Sequence, residues 1–262
     1  MQPDPRYLPV CERMPSISLE EMDAIRLMNR VDTKYVTNGD KLVAVLEDAA
    51  AAGYRICEIE GKRISGYNSL YYDTDGLQMY LAHHSGRKTR QKVRVRTYEV
   101  NGETYLEIKR KQNNGRTKKK RVRMDPDCFS RLADDAAAVQ FLHTYSWFKV
   151  SELSPALTTE FNRITLVNPG RTERLTIDMQ LHFTNYRNGR EAGLGDAVII
   201  ELKQDGRIPS QMRNILLQHR IHPLRISKYC IGSVMTTPGL KANRFKERFH
   251  QLEKIANIKV NH

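Results

Sequence analysis

The chain has 262 residues, enough to bury a sizeable core as one large domain or two small ones without disulfide or metal support. Hydrophobic residues make up 40% and charged residues 28% of the sequence, a balance that excludes an intrinsically disordered chain. No apolar run approaches the roughly 18–20 residues that cross a bilayer, and the N-terminus lacks a secretory signal. The 4 cysteines lie far apart, which excludes a CxxC zinc or redox motif. We therefore expect an intracellular, cytoplasmic protein.

Periodicity and turn signals divide the chain into short strands and several helices. Helices are predicted over residues 16–28, 38–53, 128–145, 209–220 and 241–255, with a short irregular or helical piece at 222–233. Strands are predicted over residues 29–37, 54–59, 66–74, 88–100, 104–111, 117–124, 156–167, 173–183 and 197–204. Asn101-Gly102 and Asn113-Asn114-Gly115 are typical hairpin turns, so the strands around them should run antiparallel. The pattern predicts an α+β fold whose sheet is large enough to close into a barrel.

The positive charge of the chain is concentrated in one segment. Net charge is +13, and residues 86–123 carry 15 Lys and Arg against 3 Glu, which leaves the rest of the chain close to neutral. Such a segment indicates a polyanionic partner, which could be a nucleic acid, an acidic membrane surface or a phosphate-rich small molecule. A solvated basic surface is the alternative.

Charged and apolar residues alternate along the predicted strands. Alternate residues of a strand share a face, so Lys92, Arg94 and Arg96 lie opposite Val93 and Val95. The same alternation assigns further cations to the charged faces: Arg30, Lys34, Lys109, Lys119, Arg121, Arg163 and Lys203. It also places carboxylates among them, namely Asp32, Glu107, Asp178 and Glu201. Each of these strands therefore has one charged and one apolar face.

Two arrangements fit this alternation. An open sheet would turn its charged face to water, whereas a barrel with helices outside would turn that face inward. The interleaved carboxylates favour the barrel, because cations could bind phosphate oxygens while carboxylates hold a bridging divalent metal. On this interpretation Glu201, Glu107 and Asp178 are the metal ligands.

Eight segments resemble a known family, in this order along the chain: RVDTKYV, SLYYDT, KVRVRTY, YLEIKRK, KKKRVRM, RLTIDMQL, VIIELK and RISKYCIG. They look like the VTC domain, the polyphosphate polymerase domain of the vacuolar transporter chaperone complex, which also occurs as stand-alone bacterial proteins. That domain belongs to the CYTH-like, or triphosphate tunnel metalloenzyme, superfamily. The resemblance implies an eight-stranded antiparallel β-barrel tunnel with helices packed outside. It suggests an N-terminal extension with a short helix at 1–28, the tunnel domain at 29–235 and a C-terminal helix at 236–262.

The resemblance also implies a function: transfer of the γ-phosphate of ATP to a growing polyphosphate chain, with Mn²⁺ or Mg²⁺ as cofactor. The residues that would grip the triphosphate during catalysis are Arg94, Arg96, Lys109, Arg163 and Lys228. Alternation and resemblance together give the further substrate ligands Lys34, Arg30, Lys92, Lys119, Arg121, Lys203 and Arg225. Glu201 matches the metal-binding carboxylate of the family. The segment from Arg30 to Lys34 stands where the wider superfamily often has ExExK, and this departure weakens a simple triphosphatase interpretation.

Two other functions fit the same residues. A tunnel of this kind could hydrolyse inorganic, thiamine or nucleoside triphosphate, with water in place of the chain as acceptor. The basic sheet could instead be a non-catalytic module that binds a polyanion or nucleic acid. We expect no nucleic acid partner, because the carboxylates on the basic faces would repel a phosphate backbone. The expected partners are ATP and polyphosphate; the chain shows no membrane segment and leaves room for a membrane partner.

Overall fold

One largely antiparallel sheet dominates the computed structural model, which describes residues 1–25, 27, 30–206 and 208–258. Its strands in chain order are β1 (Ser16–Ile17), β2 (Val31–Asn38), β3 (Arg55–Cys57), β4 (Ser65–Asp73), β5 (Arg90–Tyr98), β6 (Thr104–Lys111), β7 (Thr117–Arg123), β8 (Ser154–Val167), β9 (Glu173–Asn185), β10 (Glu191–Gly193) and β11 (Ala197–Gln204). Eight of them form a continuous ladder in the order β2-β11-β9-β8-β4-β5-β6-β7. The short strands β1, β3 and β10 are attached beside this ladder.

The ladder curls so that strands far apart in hydrogen-bonding order face each other. Lys109 on β6 interacts electrostatically with Glu201 on β11 and with Lys34 on β2, although these strands lie near opposite ends of the ladder. The terminal strands β2 and β7 do not pair with each other in the described part of the chain. The prediction of an α+β fold with a large antiparallel sheet is confirmed, but the eight strands form a curled sheet with an unpaired seam rather than a fully hydrogen-bonded barrel.

Eight α-helices accompany the sheet in the described residues. They are α1 (Leu8–Arg13), α2 (Leu19–Asp23), α3 (Gly39–Ala51), α4 (Gln78–His84), α5 (Ala136–Tyr145), α6 (Gln211–Gln218), α7 (Lys228–Thr236) and α8 (Lys246–Ala256). Helices α1, α3 and α6 pack on the outer, apolar side of β2, β8, β9 and β11. Helix α5 and the turns before it cover the outer side of β4, β5 and β6, where Val95 and Leu106 are fully buried. None of the described helices is both long and apolar enough to cross a membrane.

Helix α7 lies against the inner face of the sheet, which the expectation of helices packed only outside did not include. Gly232 has no side chain because a Cβ there would come within 2.6 Å of Leu157 on β8 and Phe183 on β9. Tyr229 stacks on Tyr71 of β4 with 5.0 Å between the ring centroids. The helix therefore spans part of the interior at one end of the curled sheet, together with apolar residues of α8.

Most predicted elements are present with shifted ends. The predicted helix at 16–28 is shorter, because Ser16 and Ile17 pair with β3 and the Ser18 side chain caps α2 through Glu21 N at 3.2 Å. The last part of that prediction includes Arg26 and Met28, and the next predicted strand begins at Asn29; these three residues lie outside the described part of the chain. Helices α1 and α4 were not predicted, since each has at most seven residues and no long apolar repeat.

Candidate functional site

The charged faces of the strands meet on the concave inner side of the sheet. Direct cross-strand pairs show that they share this side: Lys34 lies opposite Glu201, Arg163 opposite Asp178, and Arg94 opposite Glu107. Lys109 is paired on one side with Lys92 and on the other with Lys119. The outward residues between them, such as Val93, Val95 and Ile108, are buried beneath α5 and its neighbours. The structure thus brings cations from six strands to one surface.

One group of the site joins three elements around a buried carboxylate. Arg163 Nε and Nη2 donate to Asp178 Oδ1 and Oδ2 at 2.5 and 2.9 Å, and Lys228 of α7 donates to the same carboxylate. Burial alone would raise the pKa of Asp178, but the charges of Arg163 and Lys228 outweigh it and hold that pKa far below its usual range. Asp178 is 2% exposed. This carboxylate is therefore ionised and forms ion pairs with two cations.

A second group has the same form on the other side of the interior. Arg94 Nε donates to Glu107 at 2.7 Å, and Lys119 forms an ion pair with the other oxygen of that carboxylate. Arg96 is 5% exposed and donates to Ser69 Oγ at 2.9 Å. Burial opposes the ionisation of Glu107, yet the nearby arginines keep its pKa well below the ordinary value. Arg94 is therefore positioned by Glu107 and Arg96 by Ser69.

A third group surrounds Glu201 and is more open. Lys203 Nζ donates to Glu201 at 3.2 Å, and Lys34 lies directly opposite on β2. Lys109 is exposed to solvent within the interior and forms no ion pair with a described residue. Burial disfavours the charged carboxylate, but Lys34, Lys203 and Lys109 lower the pKa of Glu201 well below its usual range. Glu201 thus has one direct ion pair where Asp178 and Glu107 each have two.

Only Glu201 among the three predicted metal ligands has an environment that fits a divalent ion. Its neighbour across the ladder, Thr176, has a buried hydroxyl with no hydrogen-bond partner in the described residues. A carboxylate beside such an oxygen suits Mg²⁺ or Mn²⁺, which use one or two carboxylates plus water and substrate phosphates. Glu107 and Asp178 already form ion pairs with Arg and Lys side chains. No group of three or more His, Cys, Asp or Glu that could hold a metal occurs in the described ranges. The metal role of these carboxylates stays a prediction, and it is best supported for Glu201.

Ser227 and Tyr71 contact the cations of the interior but were not predicted as part of the site. Lys92 Nζ donates to Ser227 Oγ at 2.9 Å, so the residue that caps α7 also positions a predicted substrate ligand. Tyr71 Oη accepts from Arg94 Nη1 at 3.3 Å. Burial would raise the pKa of this phenol, but Arg94, Lys92 and other cations outweigh that effect and lower it to about 7. From the sequence, the tyrosines of β4 are expected to pack in the core. The contact between Tyr71 and Arg94 follows from the register of β4 against β5, which places the two residues opposite each other.

Three of the predicted substrate ligands lie at the edges of the interior. Arg30 is exposed and pairs with Asp32 through Nε at 2.6 Å. Arg121 on β7 lies 4.7 Å from the ring centroid of Tyr105 and is exposed to solvent. Arg225 precedes α7 and is exposed near Lys111 of β6. These residues do not join the central groups.

The cations of the inner face outnumber its carboxylates, and most of the carboxylates are already neutralised. Partly buried cations without counter-charges are costly, so the interior should attract anions from solution. Guanidinium and ammonium groups that converge from several strands match the oxygens of a chain of phosphates. No Ser, Cys or His in these groups is paired with a base as an activated nucleophile would be. The geometry favours binding and positioning of a phosphorylated anion.

Comparisons with known proteins agree with this fold. Solved structures with a similar fold include an adenylyl cyclase candidate from Hippeastrum with a dominant triphosphatase activity, at a TM-score of 0.51 and 13% identity over 81% of this chain and 99% of that one. An adenylate cyclase candidate from Vibrio parahaemolyticus has a TM-score of 0.45 and 11% identity over 77% of this chain and 96% of that one. At these identities the first similarity shows the shared fold alone. No curated protein matches the chain.

A comparison of the sequence with models of protein families identifies the family of this chain. The model of the VTC domain matches residues 29–236, most of the chain, and this range contains every strand of the central ladder and all the predicted site residues. The resemblance to the VTC domain inferred from eight short segments is therefore confirmed. The chain belongs to the VTC domain family.

Proposed function

We propose that this chain is a polyphosphate polymerase that transfers the γ-phosphate of ATP to the end of a polyphosphate chain in the interior of its curled sheet. The observation that carries the proposal is the excess of convergent cations on the inner face, where Asp178 and Glu107 are already neutralised. Membership of the VTC domain family supports the same reaction. Phosphoryl transfer depends mainly on positioning and charge neutralisation, which such a surface supplies.

Each group of the site has a separate role in this proposal. Arg94, Arg96 and Arg163 are fixed by hydrogen bonds and would hold the oxygens of the triphosphate through charge-assisted contacts. Lys109 and Lys34 form no ion pair with a described residue and would neutralise charge on the phosphate that is transferred. A bound Mg²⁺ or Mn²⁺ would supply further charge neutralisation on the phosphates, and Glu201 with the hydroxyl of Thr176 would hold it. The terminal phosphate of the chain would be the acceptor, so no side-chain nucleophile is needed.

A triphosphatase is the second candidate, because the same groups could hold a triphosphate for attack by water. The two reactions differ in whether a carboxylate is available as a general base near the phosphate. Asp178 and Glu107 each accept from two cations, which lowers their basicity and favours the polymerase. The lysines around Glu201 lower the pKa of its carboxyl group in the same way, so this carboxylate is also a weak base.

The direct test is incubation of the purified protein with ATP and either Mg²⁺ or Mn²⁺, followed by gel electrophoresis for polyphosphate. We expect a ladder of long chains from the parent protein and little or none from Lys109→Gln. Lys41→Gln, an exposed change on α3, is the matched control and should leave the ladder unchanged. Free phosphate without any polymer, with both metals, would favour the triphosphatase.

A further inference from the structure

A second set of cations lies on the outer side of the β6–β7 hairpin. Arg110 on β6 lies directly opposite Lys118 on β7, and Lys120 lies opposite Ile108, so these three cations face away from the interior. We call Arg110, Lys118 and Lys120 the outer track. Like charges directly opposite each other in a sheet are destabilising. An anion bound outside the hairpin would therefore relieve the repulsion between Arg110 and Lys118.

The protein offers the outer track no internal counter-charge. No Asp or Glu occurs between residues 108 and 124, and none of the three cations forms an ion pair with a described residue. On the inner side of the same strands, by contrast, Glu107 neutralises Arg94 and Lys119. The outer track is thus an uncompensated positive surface, whereas the inner surface is partly compensated.

Aromatic rings hold two of these cations in place. Arg110 lies 5.3 Å from the ring centroid of Trp147, and its Nε donates to Gln91 Oε1 at 3.2 Å. The same oxygen of Gln91 accepts from the backbone N–H of Trp147 at 3.1 Å, so one buried amide fixes both groups. Lys120 lies 5.5 Å from the ring centroid of Tyr145. Cations that are ordered in advance lose less conformational entropy when they bind an anion.

The outer track is continuous with the interior through the end of β6. A cavity of about 510 Å³ lies there, lined by Trp147, Arg110, Lys111 and the amide side chains of Gln112, Asn113 and Asn114. Lys111 is on the inner face of β6, opposite Arg90 of β5 and near the charge of Arg225. Cations therefore follow one another from Lys109 in the interior to Lys111 at the rim and Arg110 outside.

We infer that the outer track is a second binding site, which holds the part of a long inorganic polyphosphate chain that extends beyond the interior. This inference rests on the proposed function, since it takes the product of that reaction as its ligand. A triphosphate fits within the inner groups and would not reach Lys118 or Lys120. A long chain of phosphates would pass Lys111 and continue over the outer side of the hairpin, gaining affinity with its length.

The aromatic residues decide between polyphosphate and single-stranded nucleic acid as the ligand. Proteins that bind single strands stack the bases on exposed aromatic rings. Here Arg110 lies over the ring of Trp147 and Lys120 over that of Tyr145, so each ring carries a cation on one face, while Trp147 is 48% exposed. A ligand made only of phosphates fits this surface better than one that carries bases.

Binding measurements with two probes test the inference. The probes are tripolyphosphate and long-chain polyphosphate, titrated at several salt concentrations into the parent and into the double variant Lys118→Gln, Lys120→Gln. We expect the variant to bind the long chain about tenfold more weakly, with a salt slope lower by about two, because two phosphate contacts are lost. Its affinity for tripolyphosphate should not change. The matched control, Lys41→Gln with Lys62→Gln, removes the same charge at exposed positions elsewhere and should bind both probes like the parent.

Three results would overturn the inference. The variant could bind the long chain as tightly as the parent, it could lose affinity for tripolyphosphate equally, or single-stranded DNA could bind the parent as tightly as polyphosphate and be lost in the variant. The last result would identify a nucleic acid surface instead. Failure of the proposed function is visible separately, because a parent that binds the long chain but forms none from ATP would contradict the polymerase and not the outer track.

Discussion

Arg163 and Asp178 lie directly opposite each other on β8 and β9 and share two hydrogen bonds of 2.5 and 2.9 Å. Lys228, the first residue of α7, contacts the same carboxylate. Asp178 therefore has two effects at once: it orders an arginine that points into the interior, and it fixes the helix that spans part of that interior. The strand pattern predicts Asp178 as a metal ligand, and in the structure the same carboxylate forms ion pairs with two cations.

Replacement of Asp178 by Asn should destabilise the protein. The change leaves Arg163 and Lys228 largely buried without their counter-ion, and loss of one partner of a buried ion pair costs about 3–5 kcal/mol of unfolding free energy. Tripolyphosphate should recover part of this loss, because its oxygens can replace the carboxylate. Chemical denaturation with and without tripolyphosphate measures both effects. An Asn variant as stable as the parent would show that the ion pair has no such role.

The same ion pair predicts a pH dependence of stability. The folded-state pKa of Asp178 is lowered, so its contribution is fully present above the unfolded value near 3.8 and is lost as the pH falls below it. The unfolding free energy of the parent should therefore fall in acid more steeply than that of Asp178→Asn. Parallel acid-denaturation curves for the two proteins would contradict this assignment.

Adjacent residues of β6 should give opposite phenotypes. Lys109 faces the interior, whereas Ile108 is 2% exposed and packs on the outer side. Lys109→Gln should weaken tripolyphosphate binding by about 1.5–3 kcal/mol, the contribution of a charge-assisted hydrogen bond, with little change in stability. Ile108→Ala should lower stability by about 2–5 kcal/mol and leave the affinity of the folded protein unchanged. Calorimetric titration and thermal unfolding separate the two effects, and the reverse pattern would mean that the two faces are assigned the wrong way round.

Glu201 should be responsible for the effect of metal on substrate binding. Glu201→Gln keeps the shape of the side chain but removes its charge, so Mg²⁺ or Mn²⁺ should no longer strengthen tripolyphosphate binding. Without metal the variant should bind at least as well as the parent, because one negative charge has gone. The exposed change Glu12→Gln serves as control. A full metal effect in Glu201→Gln, measured by titration calorimetry, would place the metal elsewhere.

Affinity for polyanions should fall as the pH rises through about 8. Burial disfavours the charged forms of Lys92 and Lys228 and lowers the pKa of each to about 8. Both lysines bind anions only when protonated, and ionisation of Tyr71 near pH 7 adds an opposing negative charge. The dissociation constant of tripolyphosphate should therefore rise between about pH 7 and 9, with proton uptake on binding. Lys92→Arg should flatten this profile because its guanidinium stays charged, and a flat profile in the parent would contradict the assignment.

Strand alternation predicts which residues share the interior, because the two-residue period of a strand is visible in the sequence. It does not predict their partners. Arg163 and Asp178 are 15 residues apart, and only the register of β8 against β9 places them opposite each other. The sequence therefore shows a carboxylate among cations, but it does not show which of those cations form ion pairs with it. The strand alternation likewise does not show that β2 and β7 remain unpaired in the described part of the chain.

Helix α7 illustrates a second limit. Residues 222–233 were predicted only as an irregular or short helical piece, although the part of α7 that follows Lys228, YCIGSVMT, is mostly apolar. The structure explains this composition, because Tyr229, Cys230, Ile231 and Val234 are buried in contact with the inner face and with α4 and α8. A helix that is apolar all round is buried on all sides, but which surfaces cover it depends on contacts distant in sequence.

The ratio of free phosphate to ADP released during turnover of ATP distinguishes a polymerase from a triphosphatase. A polymerase keeps the transferred phosphate in the chain, so we predict that ADP accumulates with almost no free phosphate while polyphosphate forms. One free phosphate for each ADP, with no polymer in the presence of Mg²⁺ or Mn²⁺, would contradict the polymerase proposal and identify the chain as a triphosphatase.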